Sequence, residues 1–263
     1  MANRKDGIHK PMNNETAAAR ADVSPTAGPI PSLIKAPIID YLDALDAGAG
    51  SARDLVIIVL WATLSWWIYV PIHELLHAYG CLWSGGEVSR LEISPWYGAN
   101  LLQHWLPFVA SGSDYAGQLT GFDTKDSDLI YLATVLLPFS LTVLPGVPLL
   151  RWSAAQTERS RARLGLGLAI PVAYAPFVSL AGDYYETGAI IATRVADWWS
   201  PGLPLARWRS DDLILLVERL FFSGQPFGAV DIAIVVSAAL IGLLGAFLTY
   251  GVGRLAARLL LRA

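Results

Sequence analysis

Between Leu55 and Trp83 the chain reads LVIIVLWATLSWWIYVPIHELLHAYGCLW, a run whose only acidic, basic or imidazole side chains are His73, Glu74 and His77. No other feature restricts the fold so strongly. A helix over these 29 residues would be about 43 Å long, against a hydrocarbon core of about 30 Å. Such a helix tilts strongly or projects from one face of a bilayer. Pro71 lacks a backbone donor and leaves the Trp67 carbonyl free, which predicts a kink just before His73. Ser51 followed by Asp54 has the pattern of a helix-start box.

Composition points the same way. Charged residues make up 16% of the chain and hydrophobic ones 54%, whereas a soluble domain carries about 25% charged residues. Three further apolar segments follow, over 128–150, 164–199 and 229–261. The second is interrupted by prolines, as in a broken or kinked helix packed on protein. The third is too long for one crossing, so a crossing to about Asp183 followed by a surface helix or bend is expected. The last is rich in small residues (Ser237, Ala238, Ala239, Gly242, Gly245, Ala246) that favour close helix contact. The expected fold is an all-α polytopic membrane protein, with about four transmembrane helices, a short β-element after the first and one or two interfacial helices.

The remaining segments are connectors. Residues 1–50 form a leader: 1–36 are polar, without periodicity, and read as disordered, while Ile38, Ile39, Leu42 and Leu45 have the spacing of a short helix on the membrane face. The membrane-embedded domain is then 51–263. Residues 84–98 alternate Val88, Leu91 and Ile93 with polar residues, as a short strand would. Residues 111–128 read as a polar loop, and 210–224 as a helix on or near the membrane surface.

Charge and cysteine content exclude several classes. A net charge of −3 offers no basic surface for nucleic acid. The single cysteine, Cys81, rules out an internal disulfide and a four-thiolate metal site. No secretory signal is apparent before Leu55. Four arginines lie between the second and third apolar segments, and Arg53, Arg254, Arg258 and Arg262 flank the same side of a four-crossing topology. That bias puts both termini in the cytoplasm, in what reads as a bacterial inner membrane.

His73, Glu74 and His77 form H-E-x-x-H. On a helix the two imidazoles stand one turn apart on one face and reach one metal ion. Two imidazoles with open positions suit Zn²⁺, which brings the pKa of its bound water to about 7. Glu74, next to a ligand but not itself one, is the natural general base. Catalytic zinc usually takes a third protein ligand. Asp183 lies 19 residues after Leu164 and His73 lies 18 after Leu55, so both sit about 27–29 Å along helices that start on the same side. Asp183 is therefore the expected third ligand. Glu186, one turn on, is the next candidate. His104 is a further one, as ligand or as donor to a reacting carbonyl. Cys81 lies one turn past His77, but a fourth protein ligand would close the site, so a packed side chain is the better reading.

A motif of this kind inside a membrane helix, paired with an aspartate in a later one, resembles the site-2 protease family of intramembrane zinc metalloproteases over roughly residues 54–190. GGEVSRLEISPWYG, after the motif, is similar to the β-element that in that family is thought to present an edge to unwound substrate. The resemblance implies His73, His77 and Asp183 as zinc ligands, Glu74 as acid/base, and a membrane-spanning or membrane-anchored peptide as substrate, met within or at the lipid bilayer. The rival expectations are a membrane protein that binds zinc without proteolysis, as a sensor or pseudoprotease, and a metal transporter. Intact Glu74 argues against the first and the lack of repeated halves against the second.

Overall fold

In the computed structural model, which describes residues 29–113, 115–222, 224 and 226–261, the first helix, α1, covers Pro29–Gly48. The disordered leader expected over 1–36 is thereby corrected at its C-terminal end, and 1–28 lie outside the described residues. Tertiary contacts outweigh composition here. Ala36, Asp40 and Ala44 form a buried face, and the Asp40 carboxylate binds Arg151 (2.8 Å), Arg254 (3.2 Å) and the Tyr250 hydroxyl (3.0 Å). The expected stripe of Ile38, Ile39 and Leu42 points outward and is exposed.

Helix α2 (Ala52–Trp83) is the long apolar run, and it passes Pro71 without interruption. Its start carries half of the expected box: the Ser51 hydroxyl accepts from the Asp54 amide (3.3 Å), while the Asp54 carboxylate accepts from the Gly50 amide (3.1 Å) and not from that of Ser51. Those bonds satisfy donors that a helix start leaves open. The chain turns at Gly85, whose φ of 100° suits glycine, and returns as β1 (Glu87–Ile93). A short helix, α3 (Ala99–Leu102), leads to β2 (Val109–Ser111) and β3 (Gly117–Asp123). The sheet order is β2-β1-β3, with β1 parallel to β2 and antiparallel to β3, Glu87 opposite Asp123 and Ile93 opposite Gly117. The polar loop expected over 111–128 thus contains a strand. Two glycines in β3 and register shifts near Arg90 hide the alternation that announces one.

Helix α4 (Asp128–Leu136) is capped by Ser127 and continues through a tight turn at Leu137–Phe139 and a wide one at Thr142–Gly146 into α5 (Val147–Ala154). Pro138 and Pro145 sit in those turns, where a missing backbone donor costs least. Helix α6 (Arg159–Ala173) is bent by 43° against α7 (Ala175–Val178) and the turn after it, and α8 (Asp183–Trp199) begins past Gly182. The third apolar segment is therefore broken twice, and Asp183 opens a new helix instead of closing an old one. Pro176 contributes, because it has no backbone donor for the Val172 carbonyl, which accepts from the Thr142 hydroxyl instead (2.7 Å).

Helix α9 (Leu213–Phe222) is the expected helix of 210–224. Asp212 caps it, accepting from the Ile214 (2.8 Å) and Leu215 (3.0 Å) amides. Helix α10 (Ala229–Leu260) completes the chain. It buries one face through Ile234, Ala238, Gly242, Ala246 and Tyr250, while Ser237 is exposed.

Small residues set the helix contacts. Gly167 of α6 lies against Ile58 and Trp61 of α2, and the Ser65 hydroxyl donates to the Leu168 carbonyl (2.7 Å), so α2 and α6 run side by side in one direction. Gly188 of α8 meets the Ala238 backbone, and Gly242 of α10 meets that of Tyr184. Three stretches, α2, Asp128–Ala154 and α10, are long and apolar enough to cross a membrane, and a fourth is counted if the bent pair Arg159–Ala173 and Ala175–Ala181 is one span.

Candidate metal centre

The parallel course of α2 and α6 decides what meets at the histidines. Where α2 reaches His73, α6 has ended, and the break after α7 delivers the first turn of α8. His73 Nε2 and His77 Nε2 are 3.1 Å apart. Asp183 completes the triangle, with Oδ2 3.4 Å from His73 Nε2 and Oδ1 3.5 Å from His77 Nε2. Corners of a tetrahedron with bonds of about 2.0–2.1 Å are about 3.3 Å apart. The two imidazole nitrogens stand near that spacing, and each faces a different oxygen of the Asp183 carboxylate. Among the described residues this is the group of three His, Cys, Asp or Glu side chains whose ligand atoms all lie within 4.8 Å of one another.

Each ligand atom is aimed by a partner behind it. His77 Nδ1 lies 2.9 Å from the Thr134 carbonyl. A carbonyl only accepts, so Nδ1 carries a proton, and Nε2 is the nitrogen turned toward the centre. His73 Nδ1 lies 2.6 Å from the Tyr69 hydroxyl. The Ser179 hydroxyl donates to Asp183 Oδ2 (2.7 Å). Phe139 and the His73 ring meet edge to face, with centroids 5.5 Å apart. Partners of this kind fix ring orientation and raise ligand basicity.

Glu74 faces the same cavity, of about 670 Å³, which His73, His77 and Asp183 also line. Strand β3 crosses directly over it: a Cβ on Gly117 would run into the Glu74 methylenes. Glycine is required there for strand and carboxylate to share the space. This strand is an edge, paired to β1 on one side and lining the cavity from Gly117 to Leu119. The edge expected within 84–98 is corrected accordingly. β1 is the middle strand, paired on both sides over Leu91–Ile93, and it is β3 that lines the cavity.

The other candidates part from the centre. Glu186 lines the cavity but accepts a hydrogen bond from the Tyr131 hydroxyl and is not in the ligand group. His104 is exposed and donates through Nδ1 to the Asn100 carbonyl (2.6 Å). Cys81 is fully buried, with Sγ 3.5 Å from the Glu87 carbonyl, and pins the sheet to α2.

Sequence reasoning missed Tyr69, Thr134, Ser179 and Gly117. Tyr69 and Ser179 each stand four residues before the ligand they touch, so helical spacing carried a signal for both. Thr134 acts through its carbonyl, which no side-chain pattern announces. Also missed was the wall opposite the histidines, where Gln118 Nε2 donates to Asp211 (2.9 Å) and Arg209 binds Asp128 (2.8 Å). No family profile, curated protein or solved structure matches the chain.

Proposed function

We propose that this chain is a zinc-dependent intramembrane endopeptidase that hydrolyses peptide bonds in membrane-spanning or membrane-anchored substrates. The observation that carries the reading is a group of two imidazoles and a carboxylate whose ligand atoms lie within 4.8 Å of one another, with the Glu74 carboxylate, outside that group, beside it in one cavity. His73, His77 and Asp183 would hold the ion. Bound there, zinc supplies a Lewis acid and brings the pKa of water to about 7. Glu74 takes the proton of the water that attacks the scissile carbonyl, and returns it to the amine as the C–N bond breaks. The free edge of β3 binds the substrate backbone in extended form, which a helical substrate reaches only after local unwinding. The three long apolar helices support a membrane setting. The arginine-rich end, where Arg163 pairs with Asp54 and Arg151 with Asp40, would face the cytoplasm of a bacterial cell, with both termini on that side.

The test is metal content. Purified protein should hold one zinc per chain by elemental analysis, and Asp183→Ala and His77→Ala should hold almost none. A zinc-free wild type sinks the reading. Tyr69→Phe probes the orienting shell. It keeps the ring and removes the bond to His73, so zinc affinity by chelator competition should fall about 10-fold. An unchanged affinity would show that the phenol does not orient the ring.

A further inference from the structure

The cavity differs in character on the two sides of the candidate centre. Trp66 and Val70 precede His73 on α2 by seven and three residues, and Ala175 and Val178 precede Asp183 by eight and five. Because α2 and α6 run in one direction, all four lie on the side nearer the arginine-rich end, and all are apolar. Val178 is 66% exposed and Trp66 37%, whereas Val70 and Ala175 are buried behind them, so the accessible part of this wall is Trp66 and Val178. It continues down α2, where Val59, exposed, lies two turns before Trp66 on the same face. The other side carries Glu186, three residues past Asp183. It also carries Tyr131, one turn earlier than Thr134 on the antiparallel α4, and the Gln118–Asp211 pair. Leu119 and Phe122 interrupt this side, and Tyr69 and Ser179 add hydroxyls to the first, but those hydroxyls are engaged by His73 and Asp183, and the charged groups of this side have no counterpart there.

From this asymmetry we infer that the site registers its substrate by polarity. Apolar residues lie along Trp66, Val70 and Val178, polar residues along Glu186, Asp211 and Gln118, and the bond that is cut lies at the junction. The substrate is then an apolar span cleaved at its polar end, not within its middle. A charged side chain placed on the apolar wall would lose water without gaining a partner, and an apolar one on the other side would leave polar groups unpaired. The inference rests on the peptidase reading above and adds the direction in which the substrate lies.

The experiment uses the full chain in lipid vesicles with a series of single-span peptides. These share one apolar run, but its junction with a polar flank is shifted by a helical turn from one peptide to the next. Mass spectrometry of the products should show the cut moving with the junction. A cut at fixed distance from a terminus, or cuts spread through the apolar run, overturns the inference and leaves the peptidase reading standing. If no peptide is cut by protein that holds zinc, the peptidase reading falls and this inference with it. Val178→Asp gives a second readout. It should lower kcat/KM about 10-fold for an apolar residue at the facing substrate position, regain activity when that residue is lysine, and leave zinc content unchanged. Equal losses for both peptides would mark Val178 as merely structural.

Discussion

Glu74→Gln is expected to lower peptide hydrolysis by about 10²–10⁴-fold while the protein keeps its zinc. Glutamine has the shape of glutamate, so the methylenes against which Gly117 packs are retained and β3 stays in place over the site. What is lost is a group that can take a proton from water and return it to the leaving amine. The choice of glutamine matters, since alanine would also remove the surface on which the strand rests and would mix chemistry with packing. Two measurements separate the outcomes. Hydrolysis near the wild-type rate would mean that Glu74 is not the base. A parallel fall in zinc affinity would mean that it is a ligand, leaving Asp183 a lesser role. Since Asp183 already stands 3.4 and 3.5 Å from the two imidazoles, the first-mentioned pattern, loss of rate with metal retained, is the one the geometry favours.

The distance at which residues act explains what could be read without coordinates. His73, Glu74 and His77 belong to one helical turn, where a spacing of four fixes the geometry, and the apolar run around them identified the helix. The convergence of Asp183 was also legible, by counting along helices that begin at the same end, although the route was not. The count assumed one continuous helix. In the structure the chain bends by 43°, breaks twice and restarts at Asp183, so the two residues meet by another route. Strand β3 was illegible because its identity depends on β1, some thirty residues earlier, and because glycine stands at 117 and 121 where alternating apolar residues would signal a strand. Its Gly117 owes its identity to Glu74, a contact that sequence patterns do not encode. Likewise α1 becomes a helix through Asp40, which meets Arg151, Tyr250 and Arg254 from the far end of the chain. Local chemistry was visible in the sequence, whereas pairings across long separations needed the fold.

Gly242→Ala is expected to destabilise the protein by about 2 kcal/mol and to weaken zinc binding, whereas Gly245→Ala, three residues further along the same helix, should be tolerated. At position 242 a methyl group would meet the Tyr184 carbonyl oxygen, with the carbonyl carbon at 2.7 Å and the Tyr185 nitrogen at 3.3 Å. These are backbone atoms, so no rotamer change relieves the overlap and α8 must move off α10. At position 245 the nearest atoms are the Tyr184 ring carbons at 3.4 Å, which is ordinary contact. Alanine also raises helix propensity by up to about 1 kcal/mol, which offsets part of the clash at 242 and is an unopposed gain at 245. The packing defect reaches the candidate centre directly, because Tyr184 follows Asp183 in the first turn of α8. A shift of that turn by a few tenths of an ångström widens the triangle of ligand atoms and should cost about 10-fold in zinc affinity. Thermal unfolding in detergent and chelator competition on both variants give the answer. If Gly242→Ala unfolds earlier but binds zinc as wild type does, Asp183 is not held in place by the α8–α10 contact, and the bonds from Ser179 and the break before α8 must be what positions it.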